Sequence, residues 1–314
     1  MTPGKAFLDT DEIRPLAERS DLMGLRLVLH CWGTIALAVA AFALWPNPLT
    51  FVLAVLVIGS RQLGLAILMH EAAHNALFRT RAINEFVGEW LCGRPILAEL
   101  GAYRHYHLTH HRFTQTDKDP DLVLSSKFPT TRASLMRKFA RDLTGQTGVK
   151  QLAGQIAMSL RMAGDDDAIR AANSDFAQAF KARDLWKSLP VFVAVIVLMG
   201  LAGQWWYGLA FWLLPFLTWF QFVLRVRNIA EHGATEQSEN PLQNVRTTRA
   251  GPLARLFVAP YWVNYHLEHH MIMHVPCWRL RDMHALLIRK GLGPRMRLAD
   301  TYGAALAEAG WHRA

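Results

Sequence analysis

Three five-residue windows concentrate the chemistry of this chain: His70-Glu-Ala-Ala-His74, His107-Leu-Thr-His110-His111 and His266-Leu-Glu-His269-His270. They hold eight of its 14 histidines, where an even spread would place fewer than one in the same stretch. Positions i, i+3 and i+4 share one face of an α-helix, with neighbouring Cβ atoms about 5–6 Å apart. Each window can therefore present its imidazoles as a clamp. Neutral imidazole is the commonest protein ligand for zinc, copper, iron and nickel. Histidines satisfied singly in a core or on a surface have no reason to recur at this spacing, and the pattern is that of a metal protein.

The elements that must position these windows are apolar. Largely apolar runs cover roughly residues 25–45, 49–69, 187–203 and 205–224, and about 20 such residues cross a bilayer as a helix. The second run carries Arg61, which is costly in lipid and is expected to face the bundle interior or snorkel. The turns between the first two and the last two runs, Pro46-Asn-Pro48 and Gly203-Gln-Trp-Trp206, are uncharged, whereas Lys and Arg crowd the N-terminal arm, residues 79–187 and the tail. The positive-inside rule then places both termini and the long central segment in the cytoplasm. The expectation is an all-α integral membrane protein: four spans in two hairpins under a cytoplasmic helical cap, forming one unit over residues 1–314. All three windows abut this cap. Residues 86–100 are too short to span and read as an interfacial helix leading to His107. Asp165–Asp167 read as an acidic first helical turn rather than a metal site.

Composition bounds the alternatives. At 52% hydrophobic and 19% charged residues the chain is too apolar for an ordinary soluble domain. Its net charge of +9 comes from dispersed basic residues, which suit anionic lipid head groups better than nucleic acid. Cys31, Cys92 and Cys277 form no CxxC pair, so neither a disulfide framework nor a zinc ribbon is supported. The first 23 residues mix acids and bases without an apolar core, unlike a cleaved signal peptide.

With HxxxH, HxxHH and HxxHH in this order, each after an apolar segment, the chain resembles the integral-membrane fatty acid desaturase/hydroxylase superfamily, over roughly residues 63–122 and 225–280. The flanking His74-Asn-Ala-Leu-Phe, Asp117-Lys-Asp-Pro-Asp121 and Asn264-Tyr-His-Leu-Glu-His-His270 strengthen the resemblance. It implies two non-haem irons held by nine histidines and one asparagine acting through water. Asn228-Ile-Ala-Glu-His232 matches the remaining pattern. The implied ligands are thus His70, His74, His107, His110, His111, His232, His266, His269 and His270, with Asn228 through water. Glu71, Asp117, Asp119, Asp121, Glu231 and Glu268 lie beside the boxes and could accept second ring N–H groups. The implied reaction is O₂-dependent desaturation of a long-chain acyl lipid in the membrane. No haem motif or cysteine cluster is present, so electrons are expected from a separate ferredoxin or cytochrome b5 donor with its reductase.

Other readings remain open. The same centre could hydroxylate an acyl, sphingoid or carotenoid substrate, or form a ketone on it. His70-Glu71-Ala-Ala-His74 also satisfies the HExxH pattern of zinc proteases, but one zinc would leave the other two boxes unexplained. A metal transporter would need ligands along a path through the bilayer, not at one face. His105, His274, His30, His284 and His312 are expected to be structural or solvated.

Overall fold

The computed structural model describes residues 3–162 and 185–310; Asp165–Asp167 and His312 lie outside them. Four helical segments are long and apolar enough to cross a membrane. They are α1 (Asp21–Leu44), α2 (Pro48–Ala73), α7 (Leu185–Ala202) and the stretch Leu209–His232, which ends in α8 (Trp219–His232). Between them come α3 (Arg81–Phe86), α4 (Leu100–Phe113), α5 (Arg132–Leu143) and α6 (Gln146–Met162). The tail adds α9 (His266–Met271), α10 (Leu280–Arg289) and α11 (Tyr302–Gly310). Among the described residues, strands are confined to a two-residue parallel pair, Thr247 opposite Leu298.

Helix α2 is the central post. Pro48 opens it, and Asn47 caps it by accepting from the Leu49 and Thr50 N–H groups at 3.0 and 3.1 Å. Proline at the first turn loses only an N–H that the helix would leave orphaned. In its most apolar window 61% of residues are buried, against 28% in α1 and 17% in α7. The outer helices instead expose Leu37, Leu44, Leu198 and Leu201, as surfaces facing lipid do. Along α1, Phe42 meets Phe51, and Cys31 approaches Gly64 of α2. The helix continues four residues past the expected end at 69, so His70 lies on it and His74 is its C-cap.

Residues 86–100 do not form one helix. After α3 the chain makes a π-helical turn at Val87–Gly93 and a 3₁₀ turn at Arg94–Ile96 before α4 begins. Gly88 makes this path possible, since a Cβ there would overlap the Ala72 methyl of α2. The fourth span is also irregular, with a π turn at Leu209–Leu213 and a break at Thr218. Carbonyls released by such turns need donors inside the protein. Gln62 donates to Trp212 O at 2.9 Å, and the Trp212 indole donates to Pro95 O at 3.2 Å. The Trp219 indole likewise finds Ser60 Oγ at 2.9 Å.

Candidate metal centre

Three helix ends and one short helix bring nine histidines together. His70 and His74 come from the end of α2, His107, His110 and His111 from α4, and His232 from the last residue of α8. His266, His269 and His270 come from α9. Both spanning helices end in exposed carbonyls that something must satisfy. At the end of α2, Arg104 donates to Ala73 O and Ala72 O at 2.8 and 3.0 Å, and Asn84 donates to Ala72 O at 2.9 Å. At the end of α8, the fully buried Arg246 donates to Ala230 O and Gly233 O at 3.1 and 3.0 Å and pairs with Glu308 at 2.6 Å. An arginine from elsewhere in the chain thus closes the end of each of these two spanning helices.

The imidazoles fall into two adjoining groups. His70, His74, His107, His111 and His269 offer nitrogens that all lie within 4.8 Å of one another. The second group is His110, His232 and His270, joined by His266, whose Nε2 is 2.8 Å from His232 Nε2. His111 and His270 stack between the groups with ring centroids 4.1 Å apart. All nine are buried.

The donor set fits metal ions. Nε2 of His111 sits 2.9 Å from His107 Nε2 and 3.0 Å from His269 Nε2. Nitrogens bound at right angles to one ion, at about 2.1 Å each, stand about 3 Å apart. Ring nitrogens of His70, His74, His110, His111, His232, His269 and His270 are buried with no hydrogen-bond partner among the described residues. Each such orphan would cost about 1–3 kcal/mol without a ligand. Burial drives the affinity for protons well below the ordinary value at His107, His111, His266, His269 and His270, and to a pKa of about 3 at His74. These rings are neutral at physiological pH, the form that binds metal. His110 differs: burial lowers its pKa, but the Asp121 and Asp119 carboxylates outweigh burial and raise it.

Supporting contacts fix several rings. His110 Nδ1 donates to Asp119 Oδ1 at 2.7 Å, which leaves its partnerless Nε2 as the lone-pair side. The Thr114 hydroxyl donates to His110 O at 2.7 Å, so at 3.2 Å it accepts from His270 Nδ1 and aims His270 Nε2 inward. Gln115, at a φ of +60°, donates to His232 O and to Thr235 Oγ1, each at 3.0 Å, while its own N–H goes to Asp119 Oδ2 at 2.7 Å. Glu231 accepts from Arg227 at 2.8 Å and lies 3.6 Å from His266 Nδ1. Glu71 lies 3.4 Å from His70 Nδ1, but it accepts from the Cys277 N–H at 2.8 Å, a buried backbone contact rather than the open position a protease base needs.

The remaining sequence candidates take other places. Asp121 accepts from the Tyr106 hydroxyl and is 3.7 Å from His110 Nδ1. Asp117 is exposed, with no side-chain hydrogen bond among the described residues. Glu268 binds Thr247 at 2.5 Å and His284 at 2.6 Å, touching none of the nine rings. Asn228 is half-buried one turn before His232 on α8, with no hydrogen bond to the cluster. His105 is exposed and His274 is half-buried, both outside the two groups. Arg61 is buried and donates to Leu256 O at 2.5 Å, with its guanidinium over the Tyr261 ring. Sequence reasoning overlooked Arg104, Thr114, Gln115 and Arg246, whose partners are remote or side-chain to backbone.

Comparison with known proteins agrees with this geometry. The sequence matches the fatty acid desaturase family over residues 44–299, most of its length. The chain belongs to that family. It is 26% identical over 283 residues to the dihydrorhizobitoxine desaturase of Bradyrhizobium elkanii, which covers 86% of this chain and 75% of that one. It is 27% identical over 263 residues to the beta-carotene ketolase of Paracoccus sp. (strain PC1), covering 81% and 87% respectively. With its four membrane-length helices, this fatty acid desaturase family member is an integral membrane protein and an oxidoreductase.

Proposed function

We propose that this protein is an O₂-dependent di-iron desaturase of a long-chain acyl lipid. The observation that carries this reading is the division of nine buried imidazoles into two adjoining groups, one of five and one of four. Two irons held there would supply the oxidant that no side chain can provide for an unactivated methylene. All-imidazole ligation adds no negative charge, and Asp119 and Thr114 fix the rings that face the ions. A cavity of about 10 Å³, room for about one water-sized molecule, reaches both groups through His70, His269 and His266. Its other walls include Ile67, Tyr261 and Leu280.

The balanced reaction consumes one substrate, one O₂, two electrons and two protons, and yields the alkene and two waters. The electrons come from a separate ferredoxin or cytochrome b5 donor with its reductase. The ketolase relative supports a second outcome on the same centre, oxidation of a methylene to a carbonyl. Membranes containing the protein, a donor system and deuterated acyl lipid should yield a product lighter by two hydrogens (or two deuteriums). A product heavier by one oxygen would establish hydroxylation. One oxygen gained with two hydrogens lost would establish ketone formation. Turnover without O₂ would exclude all three.

The orientation belongs to the same reading: two hairpins, with both termini and the histidine cluster cytoplasmic. Single cysteines at Asn47 and Gln204, in a background lacking native cysteines, should react with impermeant reagent added outside cells. Those at Lys127 and Arg289 should be protected. Outside labelling at Lys127 would invert the arrangement.

A further inference from the structure

A basic pocket of about 270 Å³ opens beside the start of α1, lined by Arg19, Asn75, Phe78, Arg79, Arg81 and Asn84. No carboxylate lines it, and none of its three arginines forms an ion pair among the described residues. Asp21 at the start of α1 accepts from the Thr80 N–H and hydroxyl at 2.9 and 2.7 Å, and its charge also acts on Arg79. Asn84 is fully engaged, accepting from Phe78 N and donating to Ala72 O. Asn75, held at a φ of +54°, has a buried Oδ1 with no donor. The pocket therefore gathers three guanidinium groups outside any ion pair among the described residues, with the Asp21 charge acting on Arg79 alone among them.

Its place in the fold narrows the ligand. Arg19 precedes α1, and Arg79 and Arg81 follow α2, so all three stand where membrane-length helices leave the apolar layer. From Thr80 beside Asp21 to Leu91, whose carbonyl takes the Trp32 indole at 3.0 Å, the chain runs alongside α1 away from the pocket. Both strips expose apolar side chains along the way: Leu22, Leu25 and Leu29 on α1, and Ile83, Phe86 and Trp90 on the neighbouring strip. A cationic cradle at one end of an apolar track matches an amphiphile with an anionic head. Arginine forks suit phosphate oxygens.

We propose that this pocket binds the phosphate of a bilayer phospholipid, with the lipid's acyl chains along the apolar track. The proposal rests on the membrane placement and not on the metals, so it stands or falls independently of the di-iron reading. Three probes test it. Native mass spectrometry of the full chain in detergent would measure binding of dihexanoyl phosphatidylglycerol, of dihexanoylglycerol lacking the phosphate, and of inorganic phosphate as competitor. The wild type should bind the phospholipid and not the diacylglycerol. The Arg79→Gln/Arg81→Gln double variant should bind it about tenfold or more weakly. Both substitutions are at exposed positions, so an unchanged melting temperature should accompany the loss, and Arg289→Gln on α10 should bind as the wild type does. Retention against millimolar phosphate supports lipid binding, and complete displacement by it would show that the apolar track contributes nothing and overturn the proposal. Equal affinity in wild type and double variant, or equal binding of the diacylglycerol, would overturn the proposal.

Discussion

Alanine at His74 or His269 should remove one of two bound irons, and alanine at His232 or His266 should remove the other. The grouping that predicts this is geometric. His74 and His269 share their 4.8 Å cluster with His70, His107 and His111, whereas His232 and His266 contact each other at 2.8 Å beside His110 and His270. Each variant should lose turnover entirely, because the proposed oxidant needs both ions. Anaerobic reconstitution with ferrous iron, followed by elemental analysis, measures the stoichiometry. Wild type and His105→Ala, altered at an exposed ring outside both groups, should each hold two irons per chain. Asp119→Asn should be milder, losing about 10–100-fold in activity, since it disturbs the orientation of His110 rather than removing a ligand. Retention of two irons by His74→Ala, or a single tightly held zinc in the wild type, would refute the assignment.

The sequence made the helical clamps legible because a 3.6-residue period leaves its mark locally. His70 and His74, or His107 and His111, need only one helix to meet. The same local rule carries a warning that the structure makes concrete. Glu268 stands two residues after His266, about 200° around the helix, and its carboxylate turns away to Thr247 and His284. Membrane spans were legible to within about four residues at most ends, since apolar runs of the required length have no other use. Their irregularities were not. The π turns at Val87–Gly93 and Leu209–Leu213 depend on Gly88 fitting against Ala72 and on Gln62 reaching Trp212 O, contacts between residues far apart in sequence. His232 has no box partner of its own and was singled out only through the resemblance. Tyr261 and Trp262 both adopt positive φ, at +54° and +56°, directly before the last box. Such backbone costs about 1–3 kcal/mol per residue, and no glycine or asparagine announces it. Arg61 and His30 show what offsets it, with Arg61 over the Tyr261 ring and His30 Nδ1 3.1 Å from its hydroxyl.

Arg246→Met should destabilise the protein more than any surface substitution and empty the second metal group first. The side chain is fully buried, and its guanidinium holds the carbonyls of Ala230 and Gly233 while pairing with Glu308. Methionine of similar length would fill the space and supply no donor. Glu308 is 43% exposed on its side chain, so water takes over its carboxylate and the lost ion pair contributes little. The two carbonyls have no such recourse. Each buried acceptor left unsatisfied costs about 1–3 kcal/mol, a large share of the roughly 5–15 kcal/mol that holds a typical fold. The strain falls on the last turn of α8, which carries Glu231 and His232. Relaxation there moves His232 away from His266 while leaving α2 and its Arg104 closure untouched. The measurement is melting temperature in detergent beside iron content: a fall of several degrees, with iron dropping from two toward one. Arg246→Lys keeps the charge without the fork that spans both carbonyls, and should fall between wild type and Arg246→Met. A methionine variant that melts with the wild type and keeps both irons would show that the end of α8 holds His232 without its arginine.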